Sequence, residues 1–208
     1  MPENSVTRRK TQKERSASTV AKVSQATIRL IAETGYVNMT TTMVAERAGV
    51  SRGAILHHFS SKSDLVKHAT SEMWASVTAS SRDIRKRAMV DDTDVDDLIE
   101  AVWTRLMTDT FVSVTIDMMT AARGDPELAT HVETWMRRMF ASYRRTARQV
   151  FAASGLSDME SETLILLITS ALRGLRIAQR IEADAGAIAA REMLAHMIRS
   201  FLSQRKSL

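Results

Sequence analysis

The chain has 208 residues, 44% hydrophobic and 25% charged, enough for one large or two small domains around ordinary cores. It has no cysteine, which excludes disulfides, thiolate metal sites and cysteine nucleophiles, and no apolar run of the roughly 18 residues that a membrane span needs. The formal charge of +5 is uneven: residues 1–70 carry 11 Lys/Arg against 5 Asp/Glu, residues 71–208 carry 18 against 19, so a polyanion-binding end is joined to a neutral one.

Residues 1–16, opening MPENSVTRRKTQKER, are polar and basic and are expected to form a flexible arm. From about Ser18 the spacing turns helical, with Val20, Val23, Thr27, Leu30 and Ile31 on one face and Gly35 as the stop. "TTTMVAERAG" predicts a short helix capped by Thr40 and ended by Gly49, and Ser51 caps a second one, "RGAILHHF". A longer helix opens near Ser60 or Ser61 and runs to about Met89. "DDTDVDD" then marks a break and an acidic first turn. It is not a calcium loop, because Asp97 and Trp103 stand where glycine and glutamate are needed. Further helices are expected over about 95–108, 111–122, 126–153, 158–181 and 187–202. Seven glycines, two prolines and 5% aromatic residues suit such a chain. It reads as all-α with about nine helices and no strand.

Two short helices joined by a Gly-Val-Ser turn form the helix-turn-helix pattern. In "GVSRGAILHHFSSK", His57 and His58 are adjacent, so they point about 100° apart and cannot share a metal as an i, i+4 pair could. No acid lies near enough to orient either as a base. No metal, no catalytic residue and no cofactor are expected. Imidazole N–H groups and Lys62 suit phosphate oxygens instead. Gly53 and Ala54 would let the helix sink into a major groove, with Arg52 reaching a base edge, most favourably guanine.

The stretch "TTTMVAERAGVSRGAILHHFSSKSDLV" resembles the DNA-binding segment of the TetR family of bacterial transcriptional regulators. The shared features are a Gly-Tyr after the first helix, a Thr-capped second helix ending Ala-Gly-Val-Ser, a Gly-Ala-aliphatic start to the third, and a His-Phe followed by Ser-Lys. The resemblance covers roughly residues 17–70. It implies that Thr41 touches phosphate, that Thr42, Arg52, Gly53 and Ala54 approach bases, and that His57, His58 and Lys62 anchor the backbone. One position departs from the pattern: Leu56 stands where many members carry an aromatic. A leucine can meet a thymine methyl or fill space, but it cannot donate to phosphate.

In the C-terminal two-thirds, Trp103 and Met107, Phe111, Met118 and Met119, and Trp135 and Met139 form apolar stripes at helical spacing. Such stripes are ordinary core, yet 13 methionines also suit a surface that repacks around varied apolar shapes. The resemblance implies a pocket there for a small-molecule effector. Asp117, the lone charge in "FVSVTIDMMTAA", either binds a cationic or hydroxylated effector or is an ordinary solvated or paired acid. The run around Leu164, Ile168, Leu172 and Leu175 is apolar on nearly all sides, and Leu194, Met197, Ile198 and Phe201 form one stripe of the last helix. Two such helices per subunit would make a four-helix dimer interface, as the resemblance also implies.

The sequence therefore predicts a three-helix DNA-binding domain over 17–62 and an effector-binding and dimerisation domain over 63–208. The expected protein is a cytoplasmic homodimer that binds double-stranded DNA at a palindromic operator as a repressor and responds to an effector of unknown identity. The alternatives are a helical small-molecule-binding protein or enzyme, or a helical interaction module, in either case with a degenerate DNA-binding domain. The paucity of paired titratable groups argues against the enzyme. Leu56 is the support for the interaction module.

Overall fold

The computed structural model describes residues 11–88, 94–181 and 184–206. Among them are nine α helices and no strand: α1 (Gln12–Thr34), α2 (Thr41–Ala48), α3 (Arg52–His58), α4 (Lys62–Ala88), α5 (Val95–Arg105), α6 (Asp109–Ala121), α7 (Pro126–Val150), α8 (Asp158–Ala178) and α9 (Asp184–Lys206). The chain divides into two compact units, Met1–Thr70 and Ser71–Leu208.

The first unit is built on short-range signals. α1 begins at Gln12, six residues before the expected start, because Thr11 and Glu14 form a capping box: Glu14 N donates to Thr11 Oγ1 (3.2 Å) and Thr11 N to Glu14 Oε2 (2.7 Å). Part of the expected arm is therefore helix. The rest of it, residues 1–10, lies outside the described residues. Thr40 and Ser51 cap α2 and α3 as their spacing predicts, accepting from Met43 N (3.2 Å) and Ala54 N (3.1 Å). Val23, Leu30, Ile31, Met39, Val44 and Ile55 are buried. So are Leu65, Val66 and Ala69 of α4, and His68 meets the Phe59 ring at 5.3 Å. The first turns of α4 thus complete this unit, which ends at Thr70 rather than at residue 62.

In the second unit α7 packs along α8, and α9 packs against both α5 and α8. Trp74 is fully buried, its Nε1 donating to Thr115 Oγ1 at 3.2 Å. The Ser81 and Thr146 hydroxyls pair at 2.9 Å. The break read at 91–97 falls partly on residues 89–93, outside the described set. Beyond it Asp94 caps α5 and Thr108 caps α6, whose start at Asp109 precedes the expected Phe111.

Gly49 sits at φ 65°, ψ 40° in the turn between α2 and α3, where an L side chain strains the backbone. A Cβ there would meet no atom within 4 Å, so the cost of a substitution is conformational alone. Gly49→Ala should lower unfolding stability by about 1–2 kcal/mol, and Gly49→Asn by less, since asparagine tolerates this region better. Urea unfolding of the two variants checks the order; equal losses would mean that packing, not backbone geometry, requires the glycine.

Candidate nucleic-acid interface and ligand cleft

α3 has one anchored side and one free side. Ile55 is 1% exposed and Phe59 is buried beyond it, holding the helix to the first unit. Arg52, Gly53, Leu56 and His57 share the outward face, as residues one turn apart must. Leu56 is 54% exposed, an apolar side chain left in water between polar neighbours. His58 and Ala54 are half-buried at the edges, and the two histidine rings meet edge to face at 5.1 Å. Among the described residues no group of three His, Asp or Glu could hold a metal. In the first turn of α2, Thr42 is exposed and Thr41 half-buried. A Cβ at Gly53 would meet only Ser51 Oγ, at an ordinary 3.8 Å. Nothing inside the chain requires a glycine there.

Lys62 departs from its expected place. Its Nζ donates to the carbonyls of Tyr36 (2.6 Å) and Val37 (3.3 Å) and lies 4.6 Å from the Tyr36 ring centroid. The apolar stem follows the protein surface while the ammonium serves two carbonyls of the loop after α1. Lys62 thus ties the start of α4 to the loop after α1 instead of extending outward as a free phosphate donor.

Among the cavities lined by the described residues, the effector residues expected in the second unit do not share one. Met107, Phe111 and Met118 are packed in the core. Trp103 is buried beneath two guanidiniums, Arg176 and Arg191, lying 3.5 and 4.5 Å from its ring centroid. Arg176 is held there by the carbonyls of Met107 (2.7 Å) and Trp103 (3.2 Å). Trp135 donates from Nε1 to Ser71 Oγ (3.0 Å) and lies 6.1 Å from the Trp74 ring. Asp117 is half-buried and lines none of the cavities described here. Met139 borders an open cleft of about 430 Å³ between α6, α7 and α8. Its apolar walls are Ile116 and Met119 from α6 with Val132, Met136 and Phe140 from α7; Arg123, Glu133 and Arg173 supply charge. The stretch "FVSVTIDMMTAA" is apolar on both faces, so the sequence could not say whether Met118 or Met119 turns inward. Met118 does, and Met119 is 52% exposed.

The same ambiguity of phase affects α8 and α9. Leu164, Ile168, Leu172 and Ile198, expected at a subunit interface, are buried within their own chain, and Leu175 and Leu194 are half-buried. A long helix covered on one side presents its other side. On α8 that side is Leu166, Leu167, Gly174 and Ile177, and on α9 it is Met193, Met197 and Phe201. Met197 and Phe201 thus lie on the exposed face. No helix among the described residues is long and apolar enough to cross a membrane.

Residues 24–69 match the family described as bacterial regulatory proteins, tetR family. The chain is 28% identical over 170 residues to the HTH-type transcriptional regulator CymR of Pseudomonas putida, a match covering 82% of this chain and 83% of that protein. It is 33% identical over 97 residues to the HTH-type transcriptional regulator BetI of Burkholderia ambifaria, covering 40% of this chain and 50% of that one. Among solved structures, the fatty acid degradation regulator FadR of Bacillus halodurans superposes with a TM-score of 0.64 at 17% identity, over 90% of this chain and 97% of that chain. A protein of Saccharomonospora viridis, solved in complex with choline, superposes with a TM-score of 0.67 at 20% identity, over 88% and 96%. At these identities the structural likenesses show the fold.

The expectation that Gly53 approaches DNA can be tested apart from its role in folding. Gly53→Ala should leave the chain as stable or up to about 1 kcal/mol more stable, since the methyl meets ordinary space and restrains the unfolded chain. It should also weaken binding to duplex DNA, because the methyl stands on the outward face. A thermal melt and a gel shift on the same variant check the pair; undiminished binding would place α3 too far from the bases for its small residues to matter.

Proposed function

Because residues 24–69 match the tetR family of bacterial regulatory proteins, we propose that this chain works as a ligand-responsive, dimeric transcriptional repressor whose α3 enters the major groove of a palindromic operator. The observation that carries the reading is the outward face of α3, with Arg52, Gly53, Leu56 and His57 exposed on a helix anchored by Ile55. Arg52 stands at the N-terminal end, where a guanidinium can pair with guanine O6 and N7. Leu56 offers an apolar surface to a thymine methyl, and His57 can donate to phosphate. Thr41 and Thr42 at the start of α2 add phosphate and base-edge contacts. The basic balance of the first 70 residues supplies the long-range attraction to DNA.

A homodimer is supported by the exposed apolar residues of α8 and α9. Monomeric proteins rarely leave so many large apolar side chains of two helices in water, and Gly174, with no atom within 4 Å of where its Cβ would be, leaves room for a neighbouring helix. Two-fold symmetry would set two copies of α3 about one helical turn, roughly 34–36 Å, apart on DNA. The 430 Å³ cleft of the second unit is the proposed effector site, within the roughly 300–1,000 Å³ usual for such sites. An effector there changes DNA affinity only by binding one conformation of the protein better than another.

Selection from random duplex DNA is expected to return an inverted repeat. Arg52→Ala should cost about 1–3 kcal/mol per half-site and relax preference at one base pair; an unchanged motif would make Arg52 a phosphate contact. The assembly has its own test. Met197→Glu or Phe201→Glu should convert a dimer to a monomer in light scattering, since either buries an unpaired charge in an apolar interface. A dimer that survives both would move the interface off this stripe.

A further inference from the structure

The cleft between α6, α7 and α8 is apolar along its walls, but its charges do not balance. Glu133 is already paired with Arg137, one turn further along α7. Arg123 and Arg173 also border the cleft, and among the described residues neither makes an ion pair or a hydrogen bond. Arg123 is exposed and solvated, whereas Arg173, on α8, is half-buried. A guanidinium withdrawn from water without a counter-ion is unfavourable until an anion reaches it.

A second observation points the same way. Tyr143, one turn beyond Met139 on α7, is 3% exposed, and its hydroxyl has no hydrogen-bond partner among the described residues. It borders a groove of about 230 Å³ that shares the Phe140 wall with the cleft. Burial pushes the phenol's pKa up, against the pull of the nearby Arg173 charge, so at neutral pH it is a protonated donor. An unused donor and an uncompensated cation thus stand close together beside an apolar trough. Arginine is also the side chain suited to two-point recognition of a carboxylate.

We propose that the cleft takes a small organic anion, with its acidic group on Arg173 and its apolar body along Ile116, Met119, Met136 and Phe140. The inference deepens the reading above by naming the chemical class of the effector, and it rests on that reading for any consequence at DNA. A cationic ligand is disfavoured by the same two arginines. A neutral apolar one would fill the trough and leave Arg173 unanswered.

Titration calorimetry of the full chain without DNA tests this with 2-naphthoate, 2-naphthamide and 2-naphthylmethylammonium, which share a body and differ in charge. Octanoate and octanamide repeat the comparison with a flexible body. The carboxylates are expected to bind about tenfold or more tighter than the amides, and the ammonium most weakly. In Arg173→Met the preference should fall to about twofold or less while the amide binds as before, and Arg173→Lys should recover part of it. A melting curve confirms that each variant is folded. Should Arg173→Met not fold, Arg123→Met decides, with an expected loss of preference of about threefold. Equal binding of the three naphthalenes, stronger binding of the ammonium, binding of none, or a preference indifferent to these substitutions overturns the proposal. Because the titration needs no DNA, it fails separately from the regulator reading. A gel shift on selected DNA with and without 2-naphthoate tests the link. Anion binding that leaves DNA affinity unchanged keeps the anion site and removes its role as effector site.

Discussion

A seven-residue helix does not hold itself together in water, where isolated helices shorter than about 12–15 residues are marginal. Yet α3 (Arg52–His58) must present a rigid face if it is to read DNA. Its order is therefore borrowed. Ser51 caps its first turn, Gly49 turns the chain from α2 at an angle few other residues would accept, and Ile55 and Phe59 bury themselves in the first unit. Fully burying one such apolar side chain contributes about 1.5–3 kcal/mol, more than the helix's own backbone can supply. Lys62 adds a tie from the start of α4 to the loop after α1. With its inner residues committed to the fold, α3 is free to carry an outward face chosen for another purpose.

The arginines of the second unit show how one residue type takes different roles in different surroundings. Arg176 lies over the Trp103 ring and donates to the carbonyls of Met107 and Trp103. It closes the C-terminal end of α5 and covers a tryptophan that would otherwise invite an apolar ligand. Arg148 pairs with Glu162 and with Asp158 (3.2 Å), and Arg191 with Glu100 (3.1 Å). These exposed pairs each contribute little to stability. Arg173 is the contrasting case, half-buried beside an apolar cleft with its charge unanswered.

The apolar surface of α8 and α9 follows from their length and covering. Each is buried along one side, through Leu164, Ile168 and Leu172 on α8 and Ala195 and Ile198 on α9. Each nevertheless keeps large aliphatic or thioether side chains on the other side, where charge would be the ordinary choice. A helix apolar on both sides is at ease only when both are covered.

Much of the first unit was legible in the sequence, because its signals are local. Thr40, Ser51 and Gly49 act within a few residues of where they stand, and the positions that point outward on α3 follow from a cap and a 3.6-residue period. The capping box of Thr11 and Glu14 was equally local, and was hidden by the basic composition around it. The second unit was legible as helices but not as a site. Stretches such as "FVSVTIDMMTAA" and "ETLILLITSALRG" carry apolar residues all round, so periodicity cannot choose which side meets the core. Packing made that choice, sending Met118 inward and Met119 outward, Ile168 inward and Leu167 outward. The same holds for charge. Nothing in sequence spacing distinguishes Lys62, Arg173 and Arg176. Lys62 meets carbonyls 25 and 26 positions away and Arg176 meets carbonyls 69 and 73 away, and only the tertiary structure decides which cation closes a loop, which covers a tryptophan and which is left facing a cleft.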